Sequence, residues 1–235
     1  MIVLLTLFLM QDAAEYYNKG LADWHKGDYD SAIANCTKAI ELDPKYAEAW
    51  YQRGVTRSVK ADTEGAIADF SKRIELDFYG WAYKRRGFLR FDLGQYAEAL
   101  ADLHKGCEVH SSQQNYPQLY IFLIRARQGD RKEAEQGLSE YMKSPKPKNP
   151  WHAKIVDFFL GSLSADELLK AAEAGDQKAT RSQKCEAHFY IGSLLLIQGD
   201  KVKAKDHFKK CLETDEKTFP EYMSARAGLK RLEKD

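Results

Sequence analysis

The sequence predicts an all-α protein, a right-handed α-solenoid of stacked helix pairs with a capping helix at its C-terminal end. Glycines recur at intervals of 34 and 33 residues, and an alanine follows each of them twelve residues later: Gly20 with Ala32, Gly54 with Ala66, and Gly87 with Ala99. Gly192 and Ala204 repeat this spacing near the C-terminus. A fixed period of this length is typical of helical-repeat proteins. Few segments alternate apolar and polar β-branched residues, so no sheet is predicted.

The repeat divides the chain into consecutive helix pairs. Three clear pairs and a degenerate fourth are predicted within the array 13–143, at 13–46, 47–79, 80–113 and 114–143. A proline-rich break at 144–150 then separates this array from the region 151–235. That region is predicted to hold an irregular helix pair (151–161 and 165–173), a last repeat (185–218) and a polar capping helix (219–232).

The residues at the repeat positions explain how the helices would pack. Small residues such as Gly20 and Ala32 allow two antiparallel helices to approach closely, and large aromatic residues fill the gaps between neighbours. Glycine followed by a polar residue predicts the tight turn inside a pair, with glycine in the left-handed C-cap and aspartate as the next N-cap. These turns are expected at Gly27–Asp28, Gly94–Gln95, Gly129–Asp130 and Gly199–Asp200.

This period and residue pattern resembles the tetratricopeptide repeat. The C-terminal third is also similar to the bacterial new lipoprotein I family, through the run Trp151–Gly161, the segment Ser164–Leu169, the run Glu186–Gly192 and the segment Phe219–Tyr222. In that family a helical-repeat lipoprotein of the cell envelope brings peptidoglycan hydrolases and a periplasmic protease together. The resemblance implies an adaptor without enzymatic activity.

Charge and hydropathy limit the classes of partner. Lys plus Arg number 36 and Asp plus Glu 35, a net charge of +1, so we expect no nucleic-acid partner. Residues 1–12 begin with an apolar run that is too short to span a bilayer. Its length favours an export signal, and hence an exported or periplasmic protein, although neither Lys nor Arg precedes it. The alternatives are a hydrophobic first helix covering the end of the solenoid and a misassigned start codon.

Partner-binding residues are predicted on the concave side, where the first helix of each pair would lie. Helical periodicity along those helices selects mainly aromatic, amide and basic side chains: Tyr17, Asn18, Trp24, Tyr51, Gln52, Trp81, Lys84, Arg85, Phe88 and Tyr120. Such residues are frequent interface anchors. Any one of the aromatic residues could instead belong to the core. The positions of the carboxylate clamp that grips acidic chaperone tails hold only one match, Arg85. We therefore expect a more apolar peptide or helix, with Arg85 meeting a carboxylate.

The cysteines and histidines near the last repeat offer a competing chemistry. Cys185 and His188 share one face of a helix, as do His207 and Cys211 on the next, and two Cys with two His form a zinc ligand set. The helix ends also place Cys185 near Cys211, which would suit a disulfide after export. Two separate buried thiols are the third alternative.

No catalytic motif or phosphate loop occurs, and no cofactor or metal is predicted. The sequence thus favours a scaffold that binds client proteins or peptides. Two alternatives remain: a metal-binding or enzymatic protein that uses the Cys/His cluster, and a structural protein that self-associates, for example as a homodimer.

Overall fold

The computed structural model describes residues 2–109, 115–143, 149–173 and 176–233, with side chains described from residue 11 onward. Within these ranges the secondary structure is helical, without a strand, which confirms the predicted all-α class. The chain divides into two compact units, unit 1 (Met1–Leu89) and unit 2 (Arg90–Asp235). None of the helices in the described part of the chain is both long and apolar enough to cross a membrane.

Unit 1 contains two complete helix pairs and the start of a third. Its helices are α1 (Ile2–Lys26), α2 (Tyr29–Leu42), α3 (Ala47–Val59), α4 (Thr63–Leu76) and α5 (Gly80–Leu93), the last of which continues into unit 2. α1 packs on α2 and α3 packs on α4, as the repeat predicts. Since α1 begins at Ile2, the apolar N-terminal segment continues directly into the first repeat helix.

The repeat glycines lie where two helices touch. A Cβ atom added to Gly54 would lie 2.9 Å from Cε1 of Phe70, and one added to Gly20 would lie 3.0 Å from the sulfur of Cys36. Gly192 in unit 2 has the same relation to Phe208, at 2.9 Å. The structure therefore confirms close helix approach at these three glycines.

The turns inside the pairs follow the predicted chemistry with one exception. Gly27 has φ +80°, and the carboxylate of Asp28 accepts a hydrogen bond from the backbone nitrogen of Ser31 at 3.1 Å. Gly94, Gly129 and Gly199 also have positive φ. In the second repeat the corresponding residue is Ala61, with φ +64°. A left-handed conformation costs a residue with a Cβ about 1–2 kcal/mol.

In three successive helix pairs, a polar contact joins the first helix to the second. The two side chains in contact are twelve residues apart in each pair. Asn35 donates to Asp23 at 2.8 Å in the first pair, and Arg57 donates to Asp69 at 2.8 Å in the second. Arg53 also binds Asp69, through Nε at 3.0 Å and Nη2 at 2.7 Å. In unit 2, Arg90 donates to Asp102 at 2.7 Å. The sequence analysis missed this link.

Unit 2 contains the remaining helices. They are α6 (Tyr96–Val109), α7 (Asn115–Arg127), α8 (Arg131–Lys143), α9 (Pro150–Phe159), α10 (Ala165–Ala171), α11 (Gln177–Ile197), α12 (Lys201–Glu213) and α13 (Pro220–Leu232). α11 pairs with α12, and α13 packs on both. α11 begins eight residues before the predicted repeat because Asp176 caps it, accepting from the backbone nitrogen of Ala179 at 2.8 Å. Within the predicted break 144–150, residues 144–148 lie outside the described residues.

Two buried carboxylates lie in the core of unit 2. Glu186 is 2% exposed and accepts hydrogen bonds from the hydroxyl of Tyr116 at 2.9 Å and from Nε1 of Trp151 at 2.8 Å. Glu221 is 1% exposed and accepts from the hydroxyl of Tyr190 at 2.8 Å. Burial, with the nearby charge of Glu221, raises the pKa of Glu186 to about 8. Glu186 therefore keeps its proton at neutral pH.

Candidate partner-binding surface

Two pairs of tyrosines lie on unit 1, one repeat apart. The rings of Tyr17 and Tyr46 meet edge to face with their centroids 5.1 Å apart, and those of Tyr51 and Tyr79 do so at 5.2 Å. All four side chains are half-buried. We call these four residues the tyrosine face. Tyr17 and Tyr51 are predicted partner-binding residues and lie together on it as first-helix positions.

Tyr46 and Tyr79 were missed by the sequence analysis. Tyr46 is the N-cap of α3, and Tyr79 directly precedes α5, so neither belongs to the helical periodicity that selected the other residues. Their separation of 33 residues is one repeat period and could have revealed them. The tyrosine face is therefore formed by residues within the first helices together with residues that directly precede a helix.

Polar side chains on the same first helices retain hydrogen-bonding capacity. Nε2 of Gln52 and Nε1 of Trp24 are buried, and neither has an acceptor among the residues that the structure describes. Asn18, one repeat before Gln52, is exposed. A buried donor without an acceptor costs about 1–3 kcal/mol. Both side chains are half-buried as a whole, so a carbonyl group supplied by a partner would remove that cost once the side chain turns outward.

One carboxylate lies beside the tyrosine face. Glu48 is exposed in the first turn of α3, two residues after Tyr46 and three before Tyr51. Burial, together with the charges of Tyr46 and Glu48, raises the pKa of Tyr17 to about 12. Burial and then Glu48 also raise the pKa of Tyr46. The carboxylate is thus close enough to act on both members of the first tyrosine pair.

The predicted residues on α5 separate into half-buried and buried ones. Trp81 and Arg85 are half-buried. Lys84 is only 1% exposed, with its amine 5.0 Å from the ring centre of Trp81, and Phe88 is 7% exposed. The prediction that Lys84 and Phe88 contact a partner is therefore wrong, because burial removes both from the surface.

Tyr120 on α7 is a second correction. Its side chain is fully buried, its ring lies 5.1 Å from Phe91 and 5.7 Å from Phe189, and its hydroxyl is 3.1 Å from that of Ser224. α7 is apolar around most of its circumference, as a helix in the centre of a core must be. Tyr120 therefore belongs to the core of unit 2 and cannot contact a partner.

The Cys/His cluster forms two separate pairs. The sulfur atoms of Cys185 and Cys211 lie 3.2 Å apart as free thiols, and the Nδ1 atoms of His188 and His207 lie 3.0 Å apart. Among the described residues, no group of three or more such side chains could hold a metal ion. The four side chains therefore do not form a four-ligand group in this structure, whereas the disulfide stays a prediction.

An open cavity of about 910 Å³ lies between the N-terminal half of α11 and the C-terminal half of α12. Its lining includes Lys178 and three further lysine or arginine side chains, and those three are already paired with carboxylates. Arg181 binds Glu216 at 2.6 Å, Lys184 binds Glu173 at 2.9 Å, and Lys210 binds Asp206 at 2.8 Å. We therefore assign it no anionic ligand.

Comparisons with known proteins agree with this architecture. A family model described as TPR repeat matches residues 20–57, and one described as tetratricopeptide repeat matches residues 186–218. The solved structure of the MamA protein is 20% identical, with a TM-score of 0.53, over 88% of this chain and 93% of that one.

Two further solved structures are similar. YrrB, described as a TPR protein with an unusual peptide-binding site, is 19% identical with a TM-score of 0.51, over 92% of this chain and 90% of that one. PilF of Pseudomonas aeruginosa is 16% identical with a TM-score of 0.53, over 92% of this chain and 97% of that one. At these identities the likeness establishes the fold alone, an all-α helical-repeat solenoid.

Proposed function

Because the chain carries tetratricopeptide repeats in both of its compact units, we propose that it is an adaptor that binds client proteins through peptide segments, without catalysing a reaction. The binding surface is the tyrosine face together with Asn18, Trp24, Gln52, Trp81 and Arg85. Half-buried aromatic rings provide contact area at little cost in side-chain entropy.

The observation that carries the proposal is the pair of buried donors, Nε2 of Gln52 and Nε1 of Trp24, that find no acceptor among the described residues. The backbone of an extended peptide offers carbonyl acceptors at regular intervals. The description of YrrB as a TPR protein with a peptide-binding site supports the same kind of ligand on this fold.

The proposal can be tested with a phage-displayed library of random twelve-residue peptides. We expect wild-type protein to enrich peptides whose affinity falls about tenfold for Gln52→Leu, since one hydrogen bond to a buried amide contributes about 1.4 kcal/mol. Leucine is similar to glutamine in volume but cannot donate, and since Nε2 of Gln52 has no internal acceptor the folded state loses no hydrogen bond from it. Gln128→Leu, at an exposed position after α7, is the matched control and should bind like wild type. No enrichment, or equal affinity for both variants, would contradict the proposal.

We also propose that the adaptor works in the bacterial cell envelope, as the resemblance of Trp151–Gly161 and Glu186–Gly192 to the new lipoprotein I family suggests. The apolar segment 1–12 would direct export. A fusion of residues 1–235 to alkaline phosphatase, which is active only outside the cytoplasm, should be active, and a fusion of residues 13–235 should not. An inactive full-length fusion would contradict the location and leave the binding function intact.

A further inference from the structure

Glu48 lies on α3 beside two residues of the tyrosine face, and its carboxylate forms no ion pair among the described residues. Glu48 and Tyr51 are three residues apart on α3, so their side chains share one face of the helix. Among the described residues, no lysine or arginine forms an ion pair with Glu48, whereas Glu15, Glu41 and Glu75 on α1, α2 and α4 each pair with a lysine. The charge of Glu48 is therefore available to a ligand.

Electrostatic effects on the tyrosines agree with this placement. Burial is the main cause of the raised pKa of Tyr17, Tyr46 and Tyr79, and the charge of Glu48 contributes in all three cases. These residues come from α1, from the start of α3 and from the residue before α5. The charge of Glu48 therefore acts on tyrosines from both complete helix pairs of unit 1 and from the start of the third.

A carboxylate next to tyrosine rings favours a cation as its ligand. The faces of aromatic rings carry partial negative charge and attract ammonium and guanidinium groups, whereas they repel a carboxylate. One ring of the tyrosine face already has such a contact: the guanidinium of the buried Arg73 lies 4.3 Å from the ring centre of Tyr79. The rings of Tyr17, Tyr46 and Tyr51 have no such contact among the described residues.

We infer that the tyrosine face and Glu48 form a recognition site for a lysine or arginine side chain of the bound peptide. This inference rests on the proposed function, because it specifies the peptide that the same surface binds. The cation lies against the rings of Tyr17, Tyr46 and Tyr51 and pairs with Glu48. An acidic segment is excluded here, because its charge meets a carboxylate.

The peptide library described above also tests this inference. We expect most peptides enriched on wild-type protein to contain lysine or arginine at one shared position, and we expect Glu48→Gln to lose that preference. Glu64→Gln removes an exposed carboxylate from the first turn of α4, and this variant should retain the preference for lysine or arginine. If the affinity of the enriched peptides depended on Gln52 but the peptides showed no preference for lysine or arginine, the inference would be overturned and the proposed function would stand.

Calorimetry on one enriched peptide gives the decisive comparison. Replacing its lysine with norleucine, or its arginine with citrulline, should weaken binding to wild-type protein about tenfold. Against Glu48→Gln the same replacement should change the affinity less than threefold, because the cation then keeps only its weaker contact with the tyrosine rings. A tenfold loss in both backgrounds would show that the cation binds elsewhere and would overturn the inference. Glu48 and Glu64 are both exposed in the first turn of a helix, so Glu48→Gln should lower the melting temperature no more than Glu64→Gln does.

Discussion

Replacing Asp69 by asparagine should strongly destabilise unit 1. Its carboxylate is 1% exposed and accepts hydrogen bonds from two nitrogens of Arg53 and one of Arg57. The side chain of Arg53 is itself only 10% exposed, so water cannot replace the lost partner. Removing one partner of a buried ion pair costs about 3–5 kcal/mol. We expect about 3 kcal/mol, since an asparagine oxygen still accepts one of the hydrogen bonds.

Urea unfolding measures this change directly. Trp24, Trp50 and Trp81 lie in unit 1 and only Trp151 lies in unit 2, so tryptophan fluorescence reports chiefly on unit 1. Glu75→Gln on the same helix removes an exposed carboxylate that pairs with Lys72, and it should cost less than about 0.5 kcal/mol. If Asp69→Asn lowered the free energy of unfolding by no more than this control, the buried network would not hold the repeat together.

Three further predictions concern other features. Ala61→Gly should raise the free energy of unfolding by about 1 kcal/mol, because glycine accepts a φ of +64° without strain; a loss of stability in urea would contradict this. Glu186 holds its proton in the folded state up to about pH 8 and in the unfolded chain only to about 4.5, so its contribution to stability is complete below pH 4.5 and is lost as pH rises through 8. Glu186→Gln should therefore flatten the fall in thermal stability between about pH 4.5 and 8, whereas an unchanged profile would assign that fall to another group. Incubation with oxidised dithiothreitol should lower the number of titratable thiols in unfolded protein from four to two through a Cys185–Cys211 bridge; four remaining thiols would exclude the bridge.

The repeat could be predicted from the sequence because glycine, which has no side chain, recurs where two helices touch. At Gly54 an added Cβ would meet Phe70, and at Gly20 it would meet Cys36, so only the smallest residue fits and the period stays visible. The turn glycines could be predicted equally well, since a positive φ strongly favours glycine. Ala61 could not be predicted in this way, because the turn forms there with alanine in place of glycine.

The binding surface could be predicted only in part. Tyr17 and Tyr51 follow the helical period, but the burial of Tyr120 depends on Phe189 and Ser224, which are distant in sequence. Lys84 has a charged side chain and lies on the predicted face, yet it is buried. Periodicity gives the face of a helix, whereas the neighbours that cover that face are decided by the tertiary structure.

The most direct test of the central claim, that peptides bind on the tyrosine face of unit 1, is a chemical-shift map of labelled protein titrated with one enriched peptide. We predict shifts in the amides of Tyr17, Glu48, Tyr51 and Gln52, and in the side-chain amide of Gln52. The amides of α11 and α12 should not move. Shifts confined to α11 and α12 would contradict the claim and place the partner on unit 2.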